Sequence, residues 1–213
     1  MNAKSLVIIS FFFLTAMSAV FAIRYTKVKN IAKKPFIDQN LDITVTPPSE
    51  SRTGRLEKIT GDVKLQPYFS ASYAKASPSA KIVQGDSLLT GSGSSAQAVF
   101  DKYADISLGQ DSEMVISNTI AGQFLFWQKS GNITYTNQDT TKPLSVRSLG
   151  VLVSFDGRVR IAADSYYGTV TISDIKGAAT AGFEDKENNT ITEKLEAGQS
   201  AVYNDNSQSI VTR

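Results

Sequence analysis

The stretch VLVSFDGRVRIAA, residues 151–163, constrains the fold more strongly than any other part of the chain. Asp156-Gly157 stands between two apolar runs, and Asp-Gly is a strong signal for a two-residue β-hairpin. A hairpin centred there would mix apolar residues with both arginines of the stretch on one face. The choice is therefore between a chain that turns back at Gly157 and a strand that continues past it.

An uninterrupted strand sorts these residues far better. Side chains in a strand alternate between two faces, so the apolar residues share one face and most polar residues share the other. The apolar face holds Val151, Val153, Phe155, Gly157, Val159, Ile161 and Ala163. Leu152 and Ala162 are the only apolar residues on the polar face. We therefore predict no reversal, with Gly157 as a bulge or a point of close backbone approach.

The same kind of alternation continues through the rest of residues 54–213. Short apolar alternations are broken by Gly, Asp, Asn, Ser and Pro, and no helical period is sustained. Examples are ADISLGQDSEMVIS at 104–117 and GTVTISDIKGAATA at 168–181. This pattern predicts an all-β domain, either a stacked-sheet roll or sandwich or an irregular solenoid-like domain.

Four segments also resemble one another around a glycine. They are ITGDVKL (59–65), KSGNITY (129–135), FDGRVRI (155–161) and IKGAATA (175–181). Their glycines are Gly61, Gly131, Gly157 and Gly177, and the spacings differ, so no fixed repeat emerges. A regular solenoid is not indicated, while irregular stacking of strands remains open.

Composition excludes several kinds of chemistry. The 213 residues include no cysteine and no histidine, which rules out disulfides, thiolate and imidazole metal ligands, and Ser-His-Asp or Cys-His catalysis. Carboxylate and Ser-Lys chemistry stay possible. Six of the 22 basic residues precede residue 35, which leaves the predicted domain with nearly balanced charge. A nucleic-acid partner is therefore not expected, because such proteins carry a basic patch on the domain.

The N-terminal residues predict a membrane segment. LVIISFFFLTAMSAVFAI at 6–23 is long enough to cross a bilayer and carries no charge. It reads as a retained signal anchor or as a cleaved signal peptide, and its length favours the anchor. Residues 1–5 would be a short cytoplasmic head, and 24–53 a basic juxtamembrane segment and linker. The basic residues after the helix conflict with an outward orientation by the positive-inside rule.

The motifs of residues 54–203 resemble the FecR domain family, named for a membrane-spanning regulator of ferric citrate uptake in bacteria. The most specific block is IVQGDSLLTGSGSSAQAVFDKYADISLGQDSEMVI, residues 82–116, and LEAGQSAVY at 195–203 matches the closing strand of the family. The matching positions, with the four glycines above, are Gly61, Gly85, Asp86, Thr90, Gly91, Gly131, Gly157, Gly177, Gly198 and Gln199. We expect these residues to be structural.

The resemblance implies an extracytoplasmic β domain on a membrane anchor, which would settle the orientation. Regulatory members of the family carry a cytoplasmic anti-sigma segment before the helix, whereas only MNAK stands there in this sequence. We therefore expect a module without that segment. Its cytoplasmic partner, if it acts in signalling, would be a separate chain.

No motif predicts an active site. The densest carboxylates are Glu184, Asp185 and Glu187, and their polar surroundings favour a solvated hairpin loop over a glycosidase pair. Segments 91–95, 101–105 and 109–113 favour turns over phosphate or calcium loops.

The aromatic residues favour positions in the core, and an exposed interaction surface is the alternative. In FLFW, Phe124 and Phe126 face opposite to Leu125 and Trp127, so one pair is exposed unless both faces are covered. Tyr135, Tyr166 and Tyr167 are further candidates. An exposed aromatic pair could pack on a protein or stack on a sugar ring.

Together these features predict a single-pass protein of the bacterial cell membrane with a periplasmic, extracytoplasmic binding module, acting in envelope signalling. The expected partner is a protein or a cell-envelope glycan, with no cofactor, no metal and no catalysis. The alternative is a carbohydrate-active enzyme that uses Asp and Glu.

Overall fold

The computed structural model describes residues 48–213. The predicted head at 1–5, the predicted membrane segment at 6–23 and most of the predicted linker at 24–53 lie outside the described residues. Within residues 48–213, no helix is long and apolar enough to span a membrane. Every regular element in that range is a β-strand, which confirms the all-β prediction.

Seventeen strands form in residues 48–213. They are β1 (Gly54–Thr60), β2 (Val63–Gln66), β3 (Ala74–Lys75), β4 (Lys81–Ile82), β5 (Ser87–Thr90), β6 (Ser95–Phe100), β7 (Ala104–Leu108), β8 (Glu113–Asn118), β9 (Leu125–Asn137), β10 (Leu144–Ser148), β11 (Val151–Phe155), β12 (Arg158–Asp164), β13 (Thr169–Lys176), β14 (Ala178–Glu184), β15 (Thr190–Glu196), β16 (Ser200–Asn204) and β17 (Ser209–Thr212).

These strands build two stacked sheets that share the long strand β9. Sheet 1 has the order β4-β1-β6-β7-β9-β12-β13-β16-β17. Sheet 2 has the order β3-β2-β5-β8-β9-β10-β11-β14-β15. Neighbouring strands are antiparallel throughout, except that β10 runs parallel to β9. The chain therefore passes repeatedly between two sheets, as in a stacked-sheet roll or sandwich.

The core lies between the two sheets because each strand directs alternate side chains inward. In β11 and β12 the residues Val151, Val153, Phe155, Val159 and Ile161 are all buried. Burial of these apolar faces supplies most of the stabilisation of such a domain, at roughly 25 cal/mol per Å² of apolar surface. The alternation predicted for residues 151–163 is confirmed.

The chain does not turn back at Gly157. Strand β11 pairs with β10 and β14 in sheet 2, whereas β12 pairs with β9 and β13 in sheet 1. The predicted uninterrupted strand is instead two strands, because at Asp156-Gly157 the chain passes from one sheet to the other while the same face stays buried. A Cβ atom on Gly157 would overlap the carbonyl oxygen of Lys176, so the predicted close backbone approach is confirmed.

The four similar glycines share one structural role. Gly61 separates β1 from β2, Gly131 lies where β9 leaves sheet 2 for sheet 1, and Gly177 separates β13 from β14. Each of these three has a positive φ, at +77°, +83° and +101°, which glycine adopts without steric cost. With Gly157, they mark four points where the chain crosses between the sheets.

The end of the predicted linker already contacts the domain. Ser51 forms a β-bridge with Ile120, and its hydroxyl donates to Gln84 Oε1 at 2.9 Å. The Arg52 amide donates to the Thr119 carbonyl at 2.9 Å. Pairing with the domain thus begins at Ser51, before β1.

Candidate functional site

The motif residues in the first half of the domain form hydrogen bonds with backbone groups of the domain itself. The buried Asp86 carboxylate accepts hydrogen bonds from the amides of Tyr68 and Val83, both at 2.9 Å. Burial raises the pKa of Asp86, and the two amides partly offset that shift. These contacts hold the loop before β5 and engage both oxygens of the buried carboxylate.

Thr90 and Gly91 form hydrogen bonds with the backbone beside the β1–β2 crossing. The Thr90 hydroxyl donates to the Gly109 carbonyl at 2.6 Å and accepts from the Ser112 amide at 3.0 Å. The Gly91 amide donates to the Asp62 carbonyl at 2.9 Å. Gly85, which precedes Asp86, has a positive φ of +93° that fits its turn.

The closing motif does the same at the other end of the chain. Gly198 has a φ of +90°, and its amide donates to the Asp174 carbonyl at 2.8 Å. Gln199 Oε1 accepts from the Glu196 amide at 2.8 Å. Nine of the ten predicted motif positions lie at crossings or in loops, and Thr90 is the last residue of β5.

The carboxylates at 184–187 form part of a hairpin turn. Asp185 Oδ1 accepts hydrogen bonds from the amides of Glu187 and Asn189, at 3.0 and 2.8 Å. The bonds from Asn189 lower the pKa of Asp185, whereas a general acid requires a raised one. Within residues 48–213, no group of three or more acidic side chains is placed to hold a metal ion.

The outer face of sheet 2 carries an unusual row of side chains. Pairing registers place one outward residue from each of six adjacent strands side by side. This central row consists of Val115, Trp127, Arg147, Leu152, Gly182 and Thr192. A second outward row beside it consists of Leu125, Ser145, Ser154, Thr180 and Lys194.

Two large apolar side chains of the central row face solvent. Trp127 is 42% exposed and Leu152 is 46% exposed. Between them stands exposed Arg147, which makes no ion pair within residues 48–213. The Nζ atom of Lys129 lies 5.2 Å from the Trp127 ring centroid and 2.6 Å from Glu113 Oε1. The cation therefore covers one face of the indole ring.

A groove of about 850 Å³ follows the two rows. Trp127, near one end of the central row, does not line it. The outer face contributes Leu125, Arg147, Leu152, Ser154, Thr180, Gly182 and Thr192. Its far end is formed by turns, where the Tyr203 hydroxyl donates to Asp205 Oδ1 at 3.1 Å. Burial and this carboxylate raise the pKa of Tyr203 to about 12, so the hydroxyl stays protonated.

The sequence predicted part of this face. Phe124 and Phe126 are buried and Trp127 is exposed, so the FLFW alternation holds. Leu152 was already an exception on the polar face of its strand. Arg147 and Gly182 were missed, because only the strand order brings them beside Trp127 and Leu152.

Of the other candidate aromatic residues, one is buried and two are exposed. Tyr135 is fully buried in the core, and desolvation raises its pKa well above the ordinary value. Tyr166 and Tyr167 are exposed at the β12–β13 turn, with ring centroids 4.9 Å apart. They lie apart from the groove and do not line it.

Comparison with known proteins supports the fold but not a family. No family model and no curated protein matches the chain. Two crystal structures of a "putative anti-sigma factor" from Parabacteroides distasonis ATCC 8503 are similar, with a TM-score of 0.50 and 14% sequence identity. The similarity covers 60% of this chain and 58% of that one, so this chain matches little more than half of that protein. At this identity the similarity concerns the fold alone.

Proposed function

We propose that this protein is a single-pass membrane protein whose FecR-like β domain lies outside the cytoplasm and acts as a protein-binding module in envelope signalling. It works by docking a partner rather than by catalysis. The docking face is the outer face of sheet 2, defined by the central row and the second row.

The observation that supports this most strongly is that three exposed side chains lie side by side on neighbouring strands: Trp127, Arg147 and Leu152. Trp and Arg are the residues that most often dominate protein–protein binding energy. An arginine without an ion pair beside two exposed apolar side chains can gain a carboxylate partner on binding. The docking face therefore suits a protein surface with aliphatic side chains and an acidic group.

A glycan suits this face less well. Sugar stacking needs an open aromatic ring, but Lys129 covers one face of Trp127 and is held there by Glu113. The groove also contains the aliphatic side chains of Leu125 and Leu152, which suit apolar side chains of a partner protein. These features favour a protein partner over a carbohydrate.

The membrane and signalling parts of the proposal have separate support. The uncharged segment 6–23 predicts the anchor, and the motifs of residues 54–203 resemble FecR domains. The fold is similar to that of a protein described as a "putative anti-sigma factor". The turn position of Asp185 and its lowered pKa speak against carboxylate catalysis there.

Labelling of intact cells tests the location. The chain has no cysteine, so Val211→Cys creates a single thiol at an exposed site on β17. We expect a membrane-impermeant maleimide to label the full-length variant in intact cells. Labelling only after lysis would contradict an extracytoplasmic domain.

Cross-linking in cells tests the docking face. Full-length wild type, Leu152→Arg and Val211→Arg would be compared with an impermeant amine cross-linker. We expect a defined protein adduct that Leu152→Arg removes and that Val211→Arg, on the outer face of sheet 1, retains. An adduct unaffected by either variant, or a carbohydrate adduct only, would overturn the proposal.

A further inference from the structure

We propose that the docking face binds the same face of a second copy of this chain, about a two-fold axis that runs along β11. This inference rests on the proposed function, because it names the partner of the docking face. It follows from the order of strands in sheet 2 and from which residues stand in each row.

The symmetry fixes which strands meet. β11 has β10 and then β9 on one side, and β14 and then β15 on the other. Rotation about an axis along β11 keeps each residue at its height along the strands and exchanges the two sides. When two such faces stack about 10 Å apart, β10 meets β14 of the second copy and β9 meets β15.

The central row is complementary to itself under this rotation. Leu152 meets Leu152 of the second copy on the axis. Arg147 meets Gly182, and Trp127 meets Thr192. The two bulkiest side chains of the row thus lie opposite two of its smallest, which is the interdigitation that close packing of sheets requires.

Within one copy, neither steric crowding nor backbone conformation requires a glycine at position 182. Three glycines lie inside strands in residues 48–213, namely Gly54, Gly131 and Gly182. A Cβ atom would collide with Phe100 at Gly54 and with Ser112 at Gly131. At Gly182 the nearest heavy atom would be 3.9 Å away, and φ is not positive. Since glycine weakens a strand interior, the empty space there fits a side chain arriving from outside.

Charge complementarity points the same way. Glu184 lies two residues beyond Gly182 on the same face of β14, and like Arg147 it makes no ion pair within residues 48–213. An arginine that crosses over Gly182 of the second copy reaches Glu184 of that copy. Symmetry produces this contact twice, so both unpaired charges are neutralised in the dimer.

Cysteine cross-linking of the full-length protein in detergent tests the geometry. Leu152→Cys lies on the axis, and we expect a thiol cross-linker about 10 Å long to give covalent dimers. Val211→Cys, on sheet 1, serves as the control and should give few. Ser145→Cys and Thr180→Cys chains carrying different tags should cross-link to each other more than each does to itself, because β10 faces β14.

Substitutions then test the contacts by sedimentation equilibrium. Gly182→Leu should keep the fold and weaken dimerisation at least about tenfold, because it fills the space that Arg147 enters. Arg147→Glu and Glu184→Arg should each weaken dimerisation, and the double variant should recover most of the affinity. Circular dichroism and thermal unfolding check that each variant is folded.

The outcomes separate this inference from the proposed function. If the protein is monomeric and Leu152→Cys gives no dimer, while Leu152→Arg still removes the cellular protein adduct, the face docks a different protein and the inference is wrong. If dimers form but Gly182→Leu and the charge reversals leave them unchanged, the contact is elsewhere and the inference is also wrong. If Leu152→Arg affects neither dimer nor adduct, both proposals fail.

Discussion

Gly157 and Gly182 lie in the same domain and show two different reasons for a glycine. Gly157 lies at a crossing, where the backbone of Lys176 leaves no room for a side chain. Gly182 lies on the docking face, where a Cβ atom would meet no heavy atom closer than 3.9 Å. The comparison teaches that the crossings determine the fold, whereas the docking face is free to serve binding.

The largest expected effect is at the crossing. Gly157→Ala should destabilise the protein by about 3 kcal/mol, because its Cβ forces the β11–β12 crossing away from Lys176. Gly182→Ala is the matched control and should leave stability unchanged or raise it by up to about 1 kcal/mol. Urea unfolding of both variants measures the difference. Equal losses would show that the two glycines do not differ.

A buried hydroxyl should have the next largest effect. Thr90→Val leaves the Ser112 amide and the Gly109 carbonyl without this partner, which should cost about 2 kcal/mol. Thr180→Val, on the docking face, should change stability by less than about 0.5 kcal/mol. The midpoints of urea unfolding compare the two. If Thr90→Val left stability unchanged, these hydrogen bonds would not be needed to stabilise the β1–β2 crossing at Gly61.

A buried carboxylate makes a crossing sensitive to pH. Asp174 Oδ1 accepts from the Lys176 amide at 3.1 Å, but Oδ2 has no partner. Burial, together with Asp156, raises the pKa of Asp174 in the folded protein, so its contribution to stability is greatest below the unfolded pKa and falls as pH rises through the folded pKa.

Replacing that carboxylate should therefore stabilise the protein at neutral pH. Asp174→Asn should be more stable than wild type by about 1 kcal/mol at pH 7 and should lose that advantage at pH 3. Glu187→Gln, at an exposed position in the turn between β14 and β15, serves as the control without a buried charge. Thermal unfolding at both pH values gives the comparison. A constant difference between pH 3 and pH 7 would contradict ionisation as the cause.

The smallest expected effect on stability is on the docking face itself. Leu152→Arg should change the free energy of unfolding by less than about 0.5 kcal/mol, since the side chain is 46% exposed, while it abolishes binding. Val211→Arg should be neutral for both. A large loss of stability in Leu152→Arg would mean that this leucine belongs to the core, and the contrast between crossing and face would disappear.

Much of the fold could be predicted because the local alternation of apolar and polar residues shows which side chains are buried. The faces of residues 151–163 and the alternation of FLFW follow from a period of two, but that alternation did not show which FLFW pair would be exposed. The four similar glycines were also visible, but their common role was not. A positive φ or a close backbone contact depends on which strand lies opposite, and the sequence does not state that.

By itself, then, the sequence determined that the domain is all-β, which residues face its core and where a glycine interrupts the alternation. It did so because alternate side chains of each strand point to opposite faces, one apolar and one polar. Only the tertiary structure decided that Gly157 joins two sheets, and that Arg147 lies between Trp127 and Leu152 with Gly182 beyond. Trp127 and Gly182 lie 20 and 30 residues along the chain from Arg147 and Leu152, the residues they pair with, and that pairing is set by the packing of the whole core rather than by any local pattern.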